Sequence, residues 1–355
     1  MHEKKAPFFF SYEMTARCNN NCRHCYLNLP ASDLRTAASE LSVEEIDRIS
    51  TEAAELGAVW CTLTGGEPLL RRDFEEIYLL LKRKGLLLAV FSNATLIDES
   101  HVRLFKKYPP RNFEVTVYGV TEETYESVTR RRGSYYEFHR GLDLLLTNCI
   151  PVTLKAMALR SNLHEHEAIA EFCRTQTRDF YRYDPMLNLR LDGNHERNKE
   201  IISERLTREE IIELERADPD RYGELTRDCD TFLSREPAHL DCDHLFHCHP
   251  GTAGFDLTHD GKFRLCSSVT APGTTFDLRK GSLKEAWTEF VPRVRDMRSA
   301  NSEYLENCRN CEMINLCSWC PANAYLETGA LDSRIDYFCQ VAHARAGLLK
   351  TGRSE

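Results

Sequence analysis

The chain has 355 residues, 46 basic against 55 acidic side chains, 15 cysteines and 42% hydrophobic residues. At roughly 150 residues per domain this is about two domains, with enough chain for a real core. Its mild acidity argues against a protein that grips nucleic acid through a basic face, and no apolar run approaches the ~18 residues of a membrane span.

From Pro7 to about Pro185, short apolar runs alternate with amphipathic stretches. Strands are expected at Phe8–Met14, Ala58–Thr64, Leu86–Ser92, Phe113–Gly119, Val152–Leu159 and Phe180–Asp184. Between the first two, Val43, Ile46, Ile49, Ala53 and Leu56 recur at helical spacing behind the capping box Ser42-x-x-Glu45. Phe74, Ile77, Tyr78 and Leu81 follow Asp73 in the same way, and further helices are expected at Glu99–Lys107, Ser134–Thr147 and Leu163–Thr175. Strands that read as near-continuous apolar runs, alternating with helices, predict a parallel sheet covered by helices. Six such units give an α/β fold over residues 7–185, a partial (β/α)6 TIM-like barrel open on one side, with function at the strand C-terminal ends.

Residues 186–240 are charge-rich, with a second capping box at Thr207-x-x-Glu210, and read as a helical bridging region. Residues 241–349 are cysteine-dense and carry turn signals at His259-Asp260-Gly261 and Ala271-Pro272-Gly273. They read as a small cysteine-rich domain, a hairpin plus one or two helices, ordered largely by bound metal.

The segment before Pro7 lacks the long apolar region and cleavage site of a secretory signal, which places the protein in the cytoplasm. Clustered cysteines in a reducing compartment bind metal or do chemistry more often than they pair. Cys18, Cys22 and Cys25 cluster at the start, and Cys242, Cys248, Cys266, Cys308, Cys311, Cys317, Cys320 and Cys339 at the end. Cys61, Cys149, Cys173 and Cys229 are left as buried small hydrophobes.

Cys18-x3-Cys22-x2-Cys25 lies in a loop just past the first strand. Three thiolates can hold three corners of a cubane that normally takes four, leaving one iron open to a chelating ligand. A zinc site completed by His24 is the other reading of that spacing. Tyr26 follows directly, and Thr64-Gly65-Gly66-Glu67-Pro68 ends the second strand. With these motifs the stretch Pro7–Pro185 resembles the radical S-adenosylmethionine (SAM) superfamily. The resemblance implies that Cys18, Cys22 and Cys25 bind a [4Fe–4S] cluster whose open iron is chelated by the amino and carboxylate groups of SAM. Gly65, Gly66, Glu67 and Pro68 would bind the methionyl amino group through backbone carbonyls, with Glu67 acting directly or by ordering the turn. Further cofactor contacts are implied for Tyr26, Ser92, Asn93 and Tyr118. In Ser92-Asn93-Ala94-Thr95, Ala94 replaces the family's usual glycine, and the segment around Tyr118 departs from the family pattern. Lys155 or Arg160 is the expected partner of the cofactor carboxylate.

The later spacings are Cys242-x5-Cys248-x12-Gly261-x4-Cys266 and Cys308-x2-Cys311-x5-Cys317-x2-Cys320-x18-Cys339. They resemble the SPASM extension of peptide-modifying radical enzymes, except that two residues, not three, separate Cys317 from Cys320. The resemblance implies two auxiliary [4Fe–4S] clusters, three clusters in all. Cys242, Cys248, Cys266 and Cys320 would hold the inner one, and Cys308, Cys311, Cys317 and Cys339 the outer. A zinc site on Cys308, Cys311, Cys317 and Cys320 would orphan the other four thiols. His244, His247 and His249 read as polar loop residues.

The implied activity is that of an enzyme that cleaves SAM reductively and abstracts a hydrogen from a peptide. The outcome would be an oxidative modification such as a thioether or carbon–carbon crosslink, with a flavodoxin- or ferredoxin-type reductant. Synthesis of a small redox cofactor or modified haem is the alternative within the class, and a non-catalytic iron–sulfur electron carrier the alternative outside it. Ser267 stands where anaerobic sulfatase maturases carry an aspartate, which argues against that reaction. The first strand begins close to Met1, so for a precursor-peptide substrate either a separate leader-binding protein or leader-independent recognition is expected. Tyr118, Tyr183, Asp184, Arg190 and Asp192 are the candidate acid/base groups, and His164-Glu165-His166-Glu167 reads as the exposed first turn of a helix.

Overall fold

The computed structural model describes residues 6–177, 181–233, 243–247 and 251–351. Eleven strands are found among them: β1 (Phe9–Thr15), β2 (Arg17–Cys18), β3 (Leu29–Pro30), β4 (Trp60–Gly65), β5 (Leu87–Ser92), β6 (Asn112–Val117), β7 (Val152–Met157), β8 (Arg182–Asp184), β9 (Gly254–Leu257), β10 (Lys262–Arg264) and β11 (Thr275–Asp277). Strands β1, β4, β5, β6, β7 and β8 pair in parallel in that order, with helices in every connection, which is the expected partial barrel. The helix Val43–Glu55 starts on the expected capping box, and Glu99–Lys107 and Ser134–Thr147 have the expected bounds. The helix Glu122–Thr129 had no counterpart among the sequence expectations; only Tyr125 and Val128 give it an apolar face, too sparse for a periodic signal.

Side-chain alternation decides what the barrel holds. Phe10, Tyr12 and Met14 of β1, Cys61 and Leu63 of β4, Phe113, Val115 and Val117 of β6, and Val152, Leu154 and Ala156 of β7 are buried in the main core. The alternate residues Ser11 and Glu13, Thr62 and Thr64, Glu114 and Thr116, and Lys155 and Met157 line an interior cavity instead. The interior is therefore polar and hollow, unlike the packed centre of a closed eight-stranded barrel.

The side of the barrel next to β1 is covered by the cysteine-rich region. β9 pairs with β1 in parallel, Phe9 opposite Gly254 and Ser11 opposite Asp256, and β10 and β11 extend the sheet by antiparallel pairing. One nine-stranded sheet thus runs β11-β10-β9-β1-β4-β5-β6-β7-β8, across the expected boundary at residues 240 and 241. Phe10 stacks on Phe255 at 5.2 Å, and Phe255 on Phe263 at 5.1 Å, so the junction is apolar on its outer face.

Residues 186–233 form the helices His195–Glu204, Arg208–Ala217, Pro219–Arg227 and Cys229–Leu233, the second on the expected capping box. Glu215 of Arg208–Ala217 is fully buried and accepts from Nε and Nη2 of Arg345 at 2.9 and 2.7 Å and from Arg221 at 3.0 Å. This network ties the last helix, Asp336–Thr351, to the bridging helices. Among the cysteines read as small hydrophobes, Cys61 and Cys173 are buried and Cys229 is half-buried. Cys149 is exposed, because it sits at φ +57° in the turn that ends the helix Ser134–Thr147. Removing the carboxylate in Glu215→Ala should leave Arg345 buried without its counter-charge and destabilise the protein by about 3–5 kcal/mol, read by denaturant unfolding.

Candidate active site

The inward residues of β1 and β4–β8 surround a cavity of about 620 Å³, and the loop after β1 brings Cys18, Cys22 and Cys25 to its wall. Cys18 Sγ accepts from Asn20 N at 3.4 Å and from Asn93 Nδ2 at 3.8 Å, and Cys25 Sγ accepts from Asn28 N at 3.3 Å. Burial, then the Glu67 carboxylate, pushes the Cys18 thiol up to about 12; burial, then Cys18 and Cys25, raises Cys22 well above the usual thiol range. A buried thiol ionises far more readily when a metal takes the thiolate.

Arginines hold the loop in place. Arg190 donates to the carbonyl of Asn28 at 3.2 Å, to its Oδ1 at 3.0 Å and to the carbonyl of Cys25 at 3.4 Å. Arg197 donates to the carbonyl of Cys22 at 2.9 Å, and Arg131 to Asn20 Oδ1 at 2.7 Å. Arg190 is itself oriented by Asp192. The expectation that Arg190 and Asp192 face a substrate is therefore corrected: their charges are committed to each other and to this loop.

The glycine turn packs onto the same loop. Gly66 N donates to Thr15 O at 2.7 Å and Glu67 N to Arg17 O at 2.8 Å. A Cβ on Gly65 would lie 2.2 Å from Thr15 O, and one on Gly66 2.2 Å from Arg17 O. The glycines thus make room for neighbouring backbone as well as for a ligand. The Glu67 carboxylate is buried; it accepts from Leu69 N at 3.1 Å, Ser92 Oγ at 2.9 Å and Asn93 N at 2.8 Å. These contacts order the turn and the end of β5. Tyr26, Gly65, Gly66, Ser92, Asn93 and Tyr118 line the cavity, whereas Glu67 and Pro68 lie behind it. The Tyr118 ring lies 5.2 Å from that of His24, which burial holds neutral with its pKa lowered to about 4. Ala94 takes the left-handed conformation, φ +62°, that the usual glycine adopts without strain.

Lys155 lines the cavity, paired with Glu114 at 3.0 Å, whereas Arg160 is outside the cavity wall and pairs with Glu210. Asp184 lines the cavity; Tyr183 does not, being packed 4.6 Å from the buried His166. The expected exposed turn at His164–Glu167 is likewise corrected, since Glu165 accepts from Val120 N at 2.7 Å and Thr124 Oγ1 at 2.7 Å and clasps the loop after β6.

In the C-terminal region, Cys308, Cys311, Cys317 and Cys339 line one small cavity of about 130 Å³. Cys266 and Cys320 are each flanked by lining residues of the large cavity, Ser267, Ser318 and Asn323. Cys242, Cys248 and His249 lie outside the described residues. His244 pairs with Asp296 at 2.9 Å, and His247 hydrogen-bonds the carbonyl of His244 at 2.6 Å.

Residues 12–173 match the model of the radical SAM superfamily. The chain thus carries a radical SAM domain over just under half of its length. Over most of its length it is similar to the AdoMet-dependent heme synthase of Methanosarcina barkeri, 25% identical over 342 residues, 91% of this chain and 94% of that one. It is also similar to the PqqA peptide cyclase of Rhizobium meliloti, 26% identical over 86% of this chain and 80% of that one. Among solved structures, Streptococcus suis SuiB bound to its precursor peptide SuiA shares the fold, with a TM-score of 0.68 at 16% identity over 95% of this chain and 76% of SuiB.

Radical SAM chemistry requires SAM and a [4Fe–4S] cluster, and the donor set fits them. Among the described residues no three Cys, His, Asp or Glu side chains converge on one metal ion. A cubane carries each thiolate on a separate iron, and Cys18, Cys22 and Cys25 all stand at the wall of one cavity. Sequence reasoning missed Glu13, Asp256 and Glu114 as cavity residues. The signal was present: each is a charge at an inward position of an otherwise apolar strand. In Gly66→Ala the added methyl meets Arg17 O, so reconstituted protein should lose about four irons per chain, measured by iron assay.

Proposed function

We propose that this enzyme oxidatively modifies a peptide, and that the carrying observation is three thiols and a glycine turn facing one polar cavity. Cys18, Cys22 and Cys25 would hold the SAM cluster, with Gly65, Gly66, Ser92, Asn93 and Tyr118 around the cofactor. Cys242, Cys248, Cys266 and Cys320 would hold an inner auxiliary cluster, and Cys308, Cys311, Cys317 and Cys339 an outer one. When bound, these groups supply a 5′-deoxyadenosyl radical that takes a hydrogen atom from a substrate C–H, and an acceptor for the electron the substrate then gives up. A low-potential donor of the flavodoxin or ferredoxin type supplies the initiating electron.

The protein's own part is positioning and exclusion of water. Arg190 and Arg197 fix the cysteine loop, Glu67 fixes the turn opposite it, and the β9–β11 extension closes the side of the barrel next to β1. A crosslink removes two hydrogens from the substrate, the first as an atom and the second as a proton released as the electron leaves.

Peptide chemistry is supported by the cyclase relative and by SuiB, whose fold seats a precursor peptide. The haem-synthase relative favours a tetrapyrrole as the second reading. The cavity lining speaks against it: Glu13, Glu114, Asp184 and Asp256 would face the carboxylates of a tetrapyrrole.

Anaerobically reconstituted, dithionite-reduced protein should convert SAM to 5′-deoxyadenosine, and Cys18→Ala, Cys22→Ala or Cys25→Ala should abolish the conversion. Metal analysis should give about 12 iron and 12 sulfide per chain, falling to about eight of each in the Cys308→Ala/Cys339→Ala double variant. Short peptides encoded beside the gene should lose two hydrogens by mass spectrometry; turnover of coproporphyrins and not peptides would establish the second reading instead.

A further inference from the structure

Glu13, Asp256 and Arg264 stand together on the adjacent strands β1, β9 and β10, none more than 4% exposed. Arg264 donates from Nη2 to Glu13 Oε1 at 2.6 Å and from Nε to Asp256 Oδ2 at 3.0 Å; Nη2 also reaches Asp256 Oδ2. One guanidinium serves two carboxylates, so the buried trio is one positive charge short when both are ionised. Among the described residues nothing makes up the shortfall: Asp256 Oδ1 is buried and has no hydrogen-bond partner. Both carboxylates line the large cavity, whereas Arg264 stands behind them, against an adjoining pocket of about 260 Å³ that Glu13 also borders.

The surrounding charges leave the deficit in place. Asp260 adds negative charge to Glu13, and the Tyr26 hydroxyl, between the two cavities, is neutral with its pKa raised by burial and by Glu13. His259, in the adjoining pocket, is held neutral by burial. Across the cavity Lys155 and Arg182 both pair with Glu114, and Asp184 is a further carboxylate.

We propose that Glu13 and Asp256 form a subsite for a cationic side chain, an ammonium or guanidinium, of the peptide substrate. The inference rests on the peptide reading above and narrows it to substrates with Lys or Arg close to the modified residue. In the empty cavity a proton fills the deficit: burial, then Asp256, pushes the Glu13 carboxyl up to about 8. A bound cation replaces that proton. Binding below this pKa therefore releases a proton, and affinity climbs as pH rises towards about 8, by up to about tenfold per unit. Besides SAM's sulfonium, the other cation that would enter the cavity is the cofactor's own ammonium. Its turn, Gly65-Gly66, ends β4 and lies with Ser92 and Asn93 on one side of β1, whereas Asp256 lies on β9, on the other side.

The test is calorimetric titration of SAM-loaded, unreduced holoenzyme with acetyl-lysine-N-methylamide and with acetyl-norleucine-N-methylamide, which has the apolar stem without the charge. The lysine probe should bind about tenfold more tightly at about pH 8, with the advantage shrinking towards about pH 6. Glu13→Gln and Asp256→Asn should each remove the advantage and its pH dependence. If one variant does not fold, the other and the wild-type comparison still decide. Equal affinity of the two probes for wild-type protein overturns the proposal, as does an advantage that survives in both variants. Weakened SAM binding in the variants, with no lysine preference in the wild type, assigns the pair to the cofactor and also overturns it. The titration needs no turnover, so SAM cleavage by the same preparation tests the parent reading separately. Cleavage without cation preference sinks the subsite alone.

Discussion

The contact between the glycine turn and the first residues of the cysteine loop is the constraint on which the site depends. Two backbone hydrogen bonds, Gly66 N to Thr15 O and Glu67 N to Arg17 O, bring two main chains closer than any side chain would allow. The thiols on one segment and the glycine turn on the other are thereby held at a fixed separation. Glu67 extends the constraint to the end of β5, because its one carboxylate takes both the Ser92 hydroxyl and the Asn93 amide. A site built from the ends of three strands behaves as one rigid piece.

The second determinant is the division of labour along each strand. Apolar residues face the helices and carry the stability; polar and charged residues face inward and carry the chemistry. Burying Glu13, Glu114, Lys155 and Asp256 is costly unless each finds a counter-charge, and most of them do. The interior is consequently a network of paired charges around open space.

Much of this was legible in the sequence. The six barrel strands and the capped helix Val43–Glu55 have local signals, alternation and caps, whereas the gathering of Cys308, Cys311, Cys317 and Cys339 was implied by the family resemblance, since spacing alone groups Cys320 with the first three. What was not legible is what depends on contacts distant in sequence. The pairing of β1 with β9 joins residues some 245 positions apart by backbone hydrogen bonds, which any extended segment can make. Arg190 looked like a strand-end acid/base candidate because nothing local reveals that its partners are Cys25, Asn28 and Asp192. Glu67 was placed in the right motif, but its role as an internal brace needed the positions of Ser92 and Asn93 in space.

The seam between β1 and β9 has a consequence for how this architecture can be altered. A protein cut before β9 would leave the amide and carbonyl row of β1 bare beside Phe9 and Phe10, an edge suited to pairing with a second molecule. The cysteine-rich portion therefore acts as a cover for the sheet as well as a carrier of thiols. Its deletion would be felt as association of the shortened chains.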